Sequence, residues 1–259
     1  HTKKKQEKLR EMMVKTVSQL VKLENSNPVL DSCPICLSGK IKFFVNAYQF
    51  DMSSCIDCGL LFCNPYPTQE QIHGYYNSEM KSFENEFFRD SFEKRINIFL
   101  PRIELVKKYK ASGKLLDVGS AIGIFIEALH RAKAPFDLAC CDISEEACKE
   151  LGERYPDLKV FHKDYLELDV GTQFDVITLW DTLEHIVDSK SLLQKTYQLL
   201  KDDGIFVFST PNTDSFEWIC AKEKHVQILP PGHVNLMNWK CIDILLKNNS
   251  FRVIDAFTL

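Results

Sequence analysis

Apolar and polar positions follow four regimes along the chain. In residues 3–24, Leu9, Met13, Val17, Leu20 and Val21 recur at helical spacing, and Asn27-Pro28 ends the amphipathic helix they predict. Residues 29–67 are dense in Cys, Pro and turn residues, with two short strand-like runs at 41–45 and 60–63. That is too little apolar material for a core, so the segment needs a staple. Residues 68–110 read as helical and aromatic, with Tyr75, Tyr76, Phe83, Phe87, Phe88, Phe92 and Phe99. From Lys114 onward, strand-like runs (114–118, 136–141, 159–162, 174–180, 205–209, 251–257) alternate with helical stretches (122–132, 145–154, 189–200, 239–248). This alternation predicts an α/β fold, a doubly wound, mainly parallel sheet with helices on both faces. The expected organisation is a helix over 1–28, a cysteine module over 29–67, a helical connector and lid over 68–111, and a main domain over 112–259.

Composition adds exclusions. With 259 residues, 45% hydrophobic and 26% charged, the chain is neither disordered nor low in complexity. A net charge of −4 carries no global signature of nucleic-acid or anionic-membrane binding. The basic start of the first helix (Lys3, Lys4, Lys5, Lys8, Arg10) reads as a solvated face. No apolar run approaches the roughly 20 residues of a bilayer span, and no signal-peptide core is seen, so a cytoplasmic protein is expected. His at position 1 implies that the sequence starts inside a longer chain.

Ten cysteines without an export signal read as metal ligands and buried thiols. Cys33-Pro-Ile-Cys36 and Cys55-Ile-Asp-Cys58 form two C-x2-C knuckles separated by 18 residues. Two such knuckles close a tetrahedral four-thiolate site of the kind zinc prefers; unrelated thiol pairs and a redox role are the alternatives. A full thiolate shell leaves no open position, so this zinc is expected to hold the fold and do no chemistry.

The run Leu115-Leu116-Asp117-Val118-Gly119-Ser120-Ala121-Ile122-Gly123 is the most informative. A buried strand ends in an acid, then a small-residue loop opens a helix and lets a ligand approach the backbone closely. It matches neither the dinucleotide G-x-G-x-x-G nor a P-loop. Asp117 would repel a pyrophosphate but suits an ammonium group. Asp142, at the end of the next strand and followed by Ile143, is placed to accept ribose hydroxyls. Asp164-Tyr165, after the third strand, offers an acceptor and a ring to an adenine. An ammonium, a ribose and an adenine together describe S-adenosylmethionine.

On these residues the chain resembles the class I methyltransferases, with their Rossmann-like sheet, and among them the ubiquinone-type O-methyltransferases. The resemblance covers about residues 112–258 and includes Asp117, Gly119, Gly123, Asp142, Asp164, the run Phe174-Asp175-Val176-Ile177, Trp180-Asp181-Thr182-Leu183-Glu184-His185, and Leu200-Lys201-Asp202-Asp203-Gly204 leading to Thr210-Pro211-Asn212. Ala121 replaces the usual second loop glycine. The last helix is followed by one strand-like run and no candidate for a seventh strand, which suggests truncation. The cysteine module ahead of the domain is similar to that of zinc-carrying bacterial sugar and natural-product methyltransferases. The resemblance implies that Gly119, Ser120, Ala121, Gly123, Asp142, Ile143, Asp164, Tyr165, Trp180 and Asp181 line the cofactor site with Asp117.

Methyl transfer is an in-line displacement at an activated carbon, so the protein aligns the acceptor and removes its proton. Candidate bases lie after the fourth strand or in the loop before the last helix. In the resembled sugar enzymes the pair corresponding to Glu184-His185 looks like the base, and the loop corresponding to Pro230-Pro231-Gly232-His233 borders the acceptor pocket. His185, Glu184 and His233 are therefore the catalytic candidates, against a structural pair and a turn histidine. In the ubiquinone-type enzymes E-x-x-E-H binds a divalent cation, which implies Mg2+ on Asp181 and Glu184 as the alternative. The expected activity is O-methylation of a small hydroxyl-bearing acceptor, such as a sugar, surface-polysaccharide or natural-product intermediate. Carbon methylation of a nucleotide-linked sugar, or an RNA- or protein-binding module built on the ribbon, are the other readings.

Overall fold

The computed structural model of the chain describes residues 3–258; His1, Thr2 and Leu259 lie outside that description. In chain order it forms α1 (Lys3–Leu20), β1 (Ile41–Ala47), β2 (Phe50–Cys55), β3 (Leu61–Cys63), α2 (Gln69–Tyr76), α3 (Glu79–Asp90), α4 (Phe92–Tyr109), β4 (Gly113–Val118), α5 (Ile124–Arg131), β5 (Phe136–Asp142), α6 (Glu145–Arg154), β6 (Lys159–His162), β7 (Phe174–Trp180), α7 (Ser189–Leu199), β8 (Leu200–Ser209), α8 (Phe216–Ala221), β9 (Asn235–Leu236) and α9 (Trp239–Asn248). Two compact units result. One gathers His1–Glu84, Glu184–Lys190 and Thr210–Leu259; the other gathers Asn85–Leu183 and Ser191–Ser209.

The second unit is the predicted α/β sheet. Five parallel strands run in the order β6-β5-β4-β7-β8. Every position of β4 from Leu115 to Val118 is buried, as expected of a central strand covered on both faces. On one face Leu115 and Val176 pack with Ile96, Ile103 and Val106 of α4 and with Phe125, Ala128 and Leu129 of α5. The fingerprint loop leaves β4 at the carboxyl end of this sheet, where doubly wound folds bind ligands.

The first unit is built on a four-stranded antiparallel sheet, β1-β2-β3-β9. Its fourth strand comes from residues 235–236, far along the chain from the cysteine module. Met52, Leu61 and Cys63 of the module share one apolar cluster with Trp218, Ile228, Val234 and Leu236. A second cluster joins Met13, Val17 and Leu20 of α1 to Phe50, Tyr75 and Met80. The strand expected at 251–257 does not form. Phe251 N–H donates to the Leu246 carbonyl at 3.0 Å, closing α9, and Val253, Ile254 and Phe257 beyond it are exposed. Alternation alone does not make a strand when no neighbouring strand takes its backbone hydrogen bonds.

Candidate active site

In the parallel-sheet unit the loop after β4 turns through Gly119 (φ +71°), Ala121 (φ +45°) and Gly123 (φ +76°) before α5 begins. Gly119 N–H donates to the Cys141 carbonyl at 2.9 Å, tying the loop to β5. A Cβ on Gly119 would lie 2.6 Å from Thr182 Oγ1, and one on Gly123 would collide with Leu151, so both positions require glycine for space as well as for φ. Ala121 occupies the left-handed region without that freedom, at a cost of roughly 1 kcal/mol.

Asp142 braces this loop. Its carboxylate accepts from Ala121 N–H and from Ser144 N–H, both at 2.8 Å. Ile143, beside it, is exposed. Asp164 caps a short 3-10 turn by accepting from Leu166 N–H at 2.9 Å, and is exposed. Tyr165 is buried, with its hydroxyl 3.0 Å from Thr196 Oγ1, so its ring is committed to the interior of the unit. Asp117, expected to meet the cofactor's ammonium group, is only 2% exposed and accepts from Thr178 Oγ1 at 2.7 Å, inside the sheet. Burial pushes its carboxyl up to about 7; the Thr178 bond opposes this and the Asp142 charge adds to it.

At the end of β7, Trp180 packs edge-on against Phe125 and Phe99 at 5.2 and 6.0 Å. Asp181 (φ +49°) accepts from Ser209 Oγ at 2.7 Å. Pattern reading missed Arg102 of α4. Its guanidinium stacks on Phe99 and Trp180, 4.7 and 4.9 Å from their centroids. Its side chain is 11% exposed, and the nearest acid is Asp181 Oδ2 at 3.8 Å. Among the described residues, four buried side-chain polar atoms lack a partner, and three of them are Arg102 Nε, Trp180 Nε1 and Ser120 Oγ. An orphaned buried donor costs about 1–3 kcal/mol, so Arg102 Nε and Trp180 Nε1 each call for a polar partner. The sequence clue was an arginine within an aromatic helix, one residue after Pro101.

The other unit brings together three of the candidates. Glu184 and His185 lie in a 3-10 turn, and His233 follows the Pro230-Pro231-Gly232 run, whose Pro230–Pro231 peptide is cis. A carboxylate oxygen of Glu184 and one ring nitrogen from each histidine lie within 4.8 Å of one another. The two imidazoles are 4.7 Å apart, inclined by 70°. His185 Nδ1 is 2.7 Å from the Gly232 carbonyl and His233 Nδ1 is 2.7 Å from the Gln227 carbonyl. A carbonyl only accepts, so each Nδ1 carries the hydrogen and, in the neutral ring, Nε2 holds the lone pair. Glu184 is 2% exposed and accepts from Thr210 Oγ1 at 2.9 Å. Tyr76 meets His185 edge-on at 6.1 Å, and a Cβ on Gly232 would lie 2.7 Å from the Tyr75 hydroxyl.

The same unit holds the four cysteines. Cys33 and Cys58 Sγ are 3.5 Å apart, as are Cys36 and Cys55 Sγ, and all four sulfurs lie within 4.8 Å of one another. The knuckles share one geometry: Leu37 N–H donates to Cys33 O and Gly59 N–H to Cys55 O, each at 2.9 Å, with positive φ at both donors. A tetrahedron with metal–sulfur bonds of 2.3 Å has edges of about 3.8 Å, within the observed span.

Comparisons with known proteins agree with this architecture. The model of a methyltransferase domain matches residues 90–256. The ubiquinone biosynthesis O-methyltransferase of Actinobacillus pleuropneumoniae serotype 5b (strain L20) is 30% identical over 174 residues, 56% of this chain and 73% of that protein. Among solved structures, the plantazolicin methyltransferase BamL, in complex with a triazolic desmethylPZN analog and SAH, superposes with a TM-score of 0.54 at 16% identity, covering 70% of this chain and 71% of that one. A SAM-dependent methyltransferase from Archaeoglobus fulgidus gives a TM-score of 0.50 at 20% identity, covering 64% and 74%. A domain match spanning well over half the chain, on a parallel sheet whose first loop keeps its glycines for a ligand, makes the assignment direct: the chain belongs to the class I S-adenosylmethionine-dependent methyltransferases.

Proposed function

We propose that the protein transfers the methyl group to a hydroxyl of a small acceptor, a sugar, surface-polysaccharide or natural-product intermediate, with His185 or His233 as general base. The observation that carries this reading is the tautomer imposed on both rings: each Nδ1–H is held by a carbonyl, which commits the Nε2 lone pair to accepting a proton. S-adenosylmethionine, when bound, supplies an activated methyl carbon and a sulfide leaving group. Gly119, Ser120, Ala121, Gly123 and Asp142, with Ile143, Asp164, Trp180 and Asp181 at the neighbouring strand ends, are the residues we assign to it. Arg102 joins them as the partner for an anionic group, which would satisfy its orphaned Nε. Only three residues of chain lie between Asp181 and His185. Glu184 supports an imidazolium once the proton has moved, as a buried carboxylate beside a base does elsewhere. The O-methyltransferase relative supports oxygen as the acceptor atom.

Zinc on Cys33, Cys36, Cys55 and Cys58 is part of the same proposal, supported by the four convergent sulfurs. A second reading of the catalytic cluster places a divalent cation on Glu184, His185 and His233, since these three offer ligand atoms within 4.8 Å. In that reading the Mg2+ pair of Asp181 and Glu184 gives way to a nitrogen-rich set.

The test is methyl transfer from labelled S-adenosylmethionine to a panel of hydroxyl acceptors. His185→Gln and His233→Gln should split into one variant that loses about 100- to 10,000-fold in rate and one less affected, with cofactor affinity kept in both. Full turnover in both variants refutes the base. Loss of activity with a chelator, restored by a divalent ion other than zinc, selects the cation reading.

A further inference from the structure

The cysteine ribbon and the two histidines belong to one hydrogen-bonded construction. The second knuckle closes with Cys55 N–H on Leu60 O at 2.8 Å, and β3 starts at the next residue. β3 is held between two antiparallel neighbours, with Met52, Ser53 and Ser54 of β2 opposite Cys63, Phe62 and Leu61, and with Leu236 and Asn235 of β9 opposite Leu61 and Phe62. Cys63 N–H donates to Val234 O at 3.0 Å, directly after His233, and the Cys63 thiol lies 3.9 Å from His233 O. Val234 N–H then donates to Glu184 O at 2.9 Å, and the Asn235 amide donates to Ile186 O at 2.7 Å while accepting from the Tyr66 hydroxyl at 2.6 Å. His185 closes the circuit on Gly232 O. At the far end of β9, a Cβ on Gly59, the residue after Cys58, would collide with Asn238, the cap of α9. The module is therefore tied to both ends of β9, at Val234 just after His233 and at Asn238.

We propose that the metal-loaded ribbon is the template that positions His185 and His233, with Cys63 and Asn235 as positioning residues; this rests on the acid–base reading above. Two- and three-residue strands have no stability of their own. Leu61 and Cys63 of β3 pack in the cluster completed by Trp218, Ile228, Val234 and Leu236, and the staple fixes the knuckle from which β3 starts, since residues 29–67 have too little apolar material for a core of their own. Loss of the metal loosens β3 at its knuckle end, and β3 is the only ladder partner of β9 among the described residues. The parallel-sheet unit has its own apolar core around Leu115, Val176, Phe125 and Leu129, so the cofactor loop does not depend on the ribbon.

The experiment uses the full chain as purified, with zinc measured, then stripped with 1,10-phenanthroline and reloaded. The readouts are the ring Hε1 resonances of His185 and His233, assigned through the two His→Gln variants, and the calorimetric affinity for S-adenosylhomocysteine. Stripping should shift or broaden both ring signals and reloading should restore them, while cofactor affinity stays within about threefold. Asn235→Ala should keep one zinc per chain and still move the ring signals, which separates positioning from unfolding. Ring signals indifferent to zinc overturn the proposal. So does cofactor affinity lost together with the metal, or a purified chain without zinc whose rings ignore added zinc. Full turnover in both His→Gln variants would refute the base instead, and the ring signals would still decide whether the ribbon positions these side chains.

Discussion

Asp117→Asn should stabilise the protein at alkaline pH and progressively less towards acid. The carboxyl is 2% exposed, it accepts from the Thr178 hydroxyl, and burial lifts it from 3.8 to about 7. A carboxyl raised in the folded state contributes stability that is present below its unfolded value and lost as pH rises through the folded one. At about 1.4 kcal/mol for each tenfold change in proton affinity, the charge costs at most about 4 kcal/mol near pH 8 and about 1.5 kcal/mol near pH 5. Asparagine keeps an acceptor oxygen for Thr178 and removes the titration. Any fixed penalty for its extra amide hydrogens is the same at both pH values and cancels in the comparison. Urea unfolding of both proteins near pH 5, 6.5 and 8 should therefore show the stability difference moving in the variant's favour by about 2.5 kcal/mol across the range. A difference independent of pH would refute the burial argument, because it would mean that Asp117 ionises as readily in the fold as outside it.

Asp142→Ala removes the brace on Ala121 and Ser144 and the proposed ribose acceptor; S-adenosylmethionine affinity should fall about 10- to 100-fold by calorimetry, and an unchanged constant places the ribose elsewhere. Arg102→Met keeps an apolar stem over Trp180 but removes the cation. Affinity for S-adenosylhomocysteine should fall at least about tenfold while thermal stability holds or rises, since an under-paired buried charge is lost; unchanged affinity would deny Arg102 a ligand. Cys55→Ser should lose bound zinc by elemental analysis and lower the melting temperature, and a variant as stable as the parent would deny the site a structural role.

The parallel sheet was legible because its evidence is local. Each strand from 114–118 to 205–209 is a short apolar run bounded by turn residues, and the loop after β4 carries its glycines in place. The four-cysteine site was legible for the same reason, since two knuckles need only their own spacing. What escaped depends on contacts across long stretches of chain. Asn235–Leu236 is too short to read as a strand, and exists because β3 offers it a ladder. Arg102 looks like one more charge on an amphipathic helix until Phe99 and Trp180 close around it. Asp117 reads as an exposed ligand group because its place in the motif does not reveal that Thr178, 61 residues later, receives it inside the sheet. The alternating run at 251–257 failed in the opposite sense, having the pattern of a strand and no strand beside it.

His185 and His233 are 48 positions apart, yet both rings meet the same local solution, an Nδ1–H held by a backbone carbonyl at 2.7 Å. A surface histidine seeks no such bond, because water serves both nitrogens equally. Fixing one nitrogen on the main chain matters when the other must present a lone pair in one direction, to an acceptor proton or to a metal ion. Glu184 sharpens the case. A buried carboxylate costs several kcal/mol unless charge or hydrogen bonds compensate it, and the Thr210 hydroxyl supplies one bond. A positive charge beside Glu184 arises when a neighbouring imidazole takes a proton, or when a cation binds all three groups. Both routes use the cluster as a place where positive charge is created next to a fixed negative one. Two basic nitrogens and a buried carboxylate within 4.8 Å of one another suit either route.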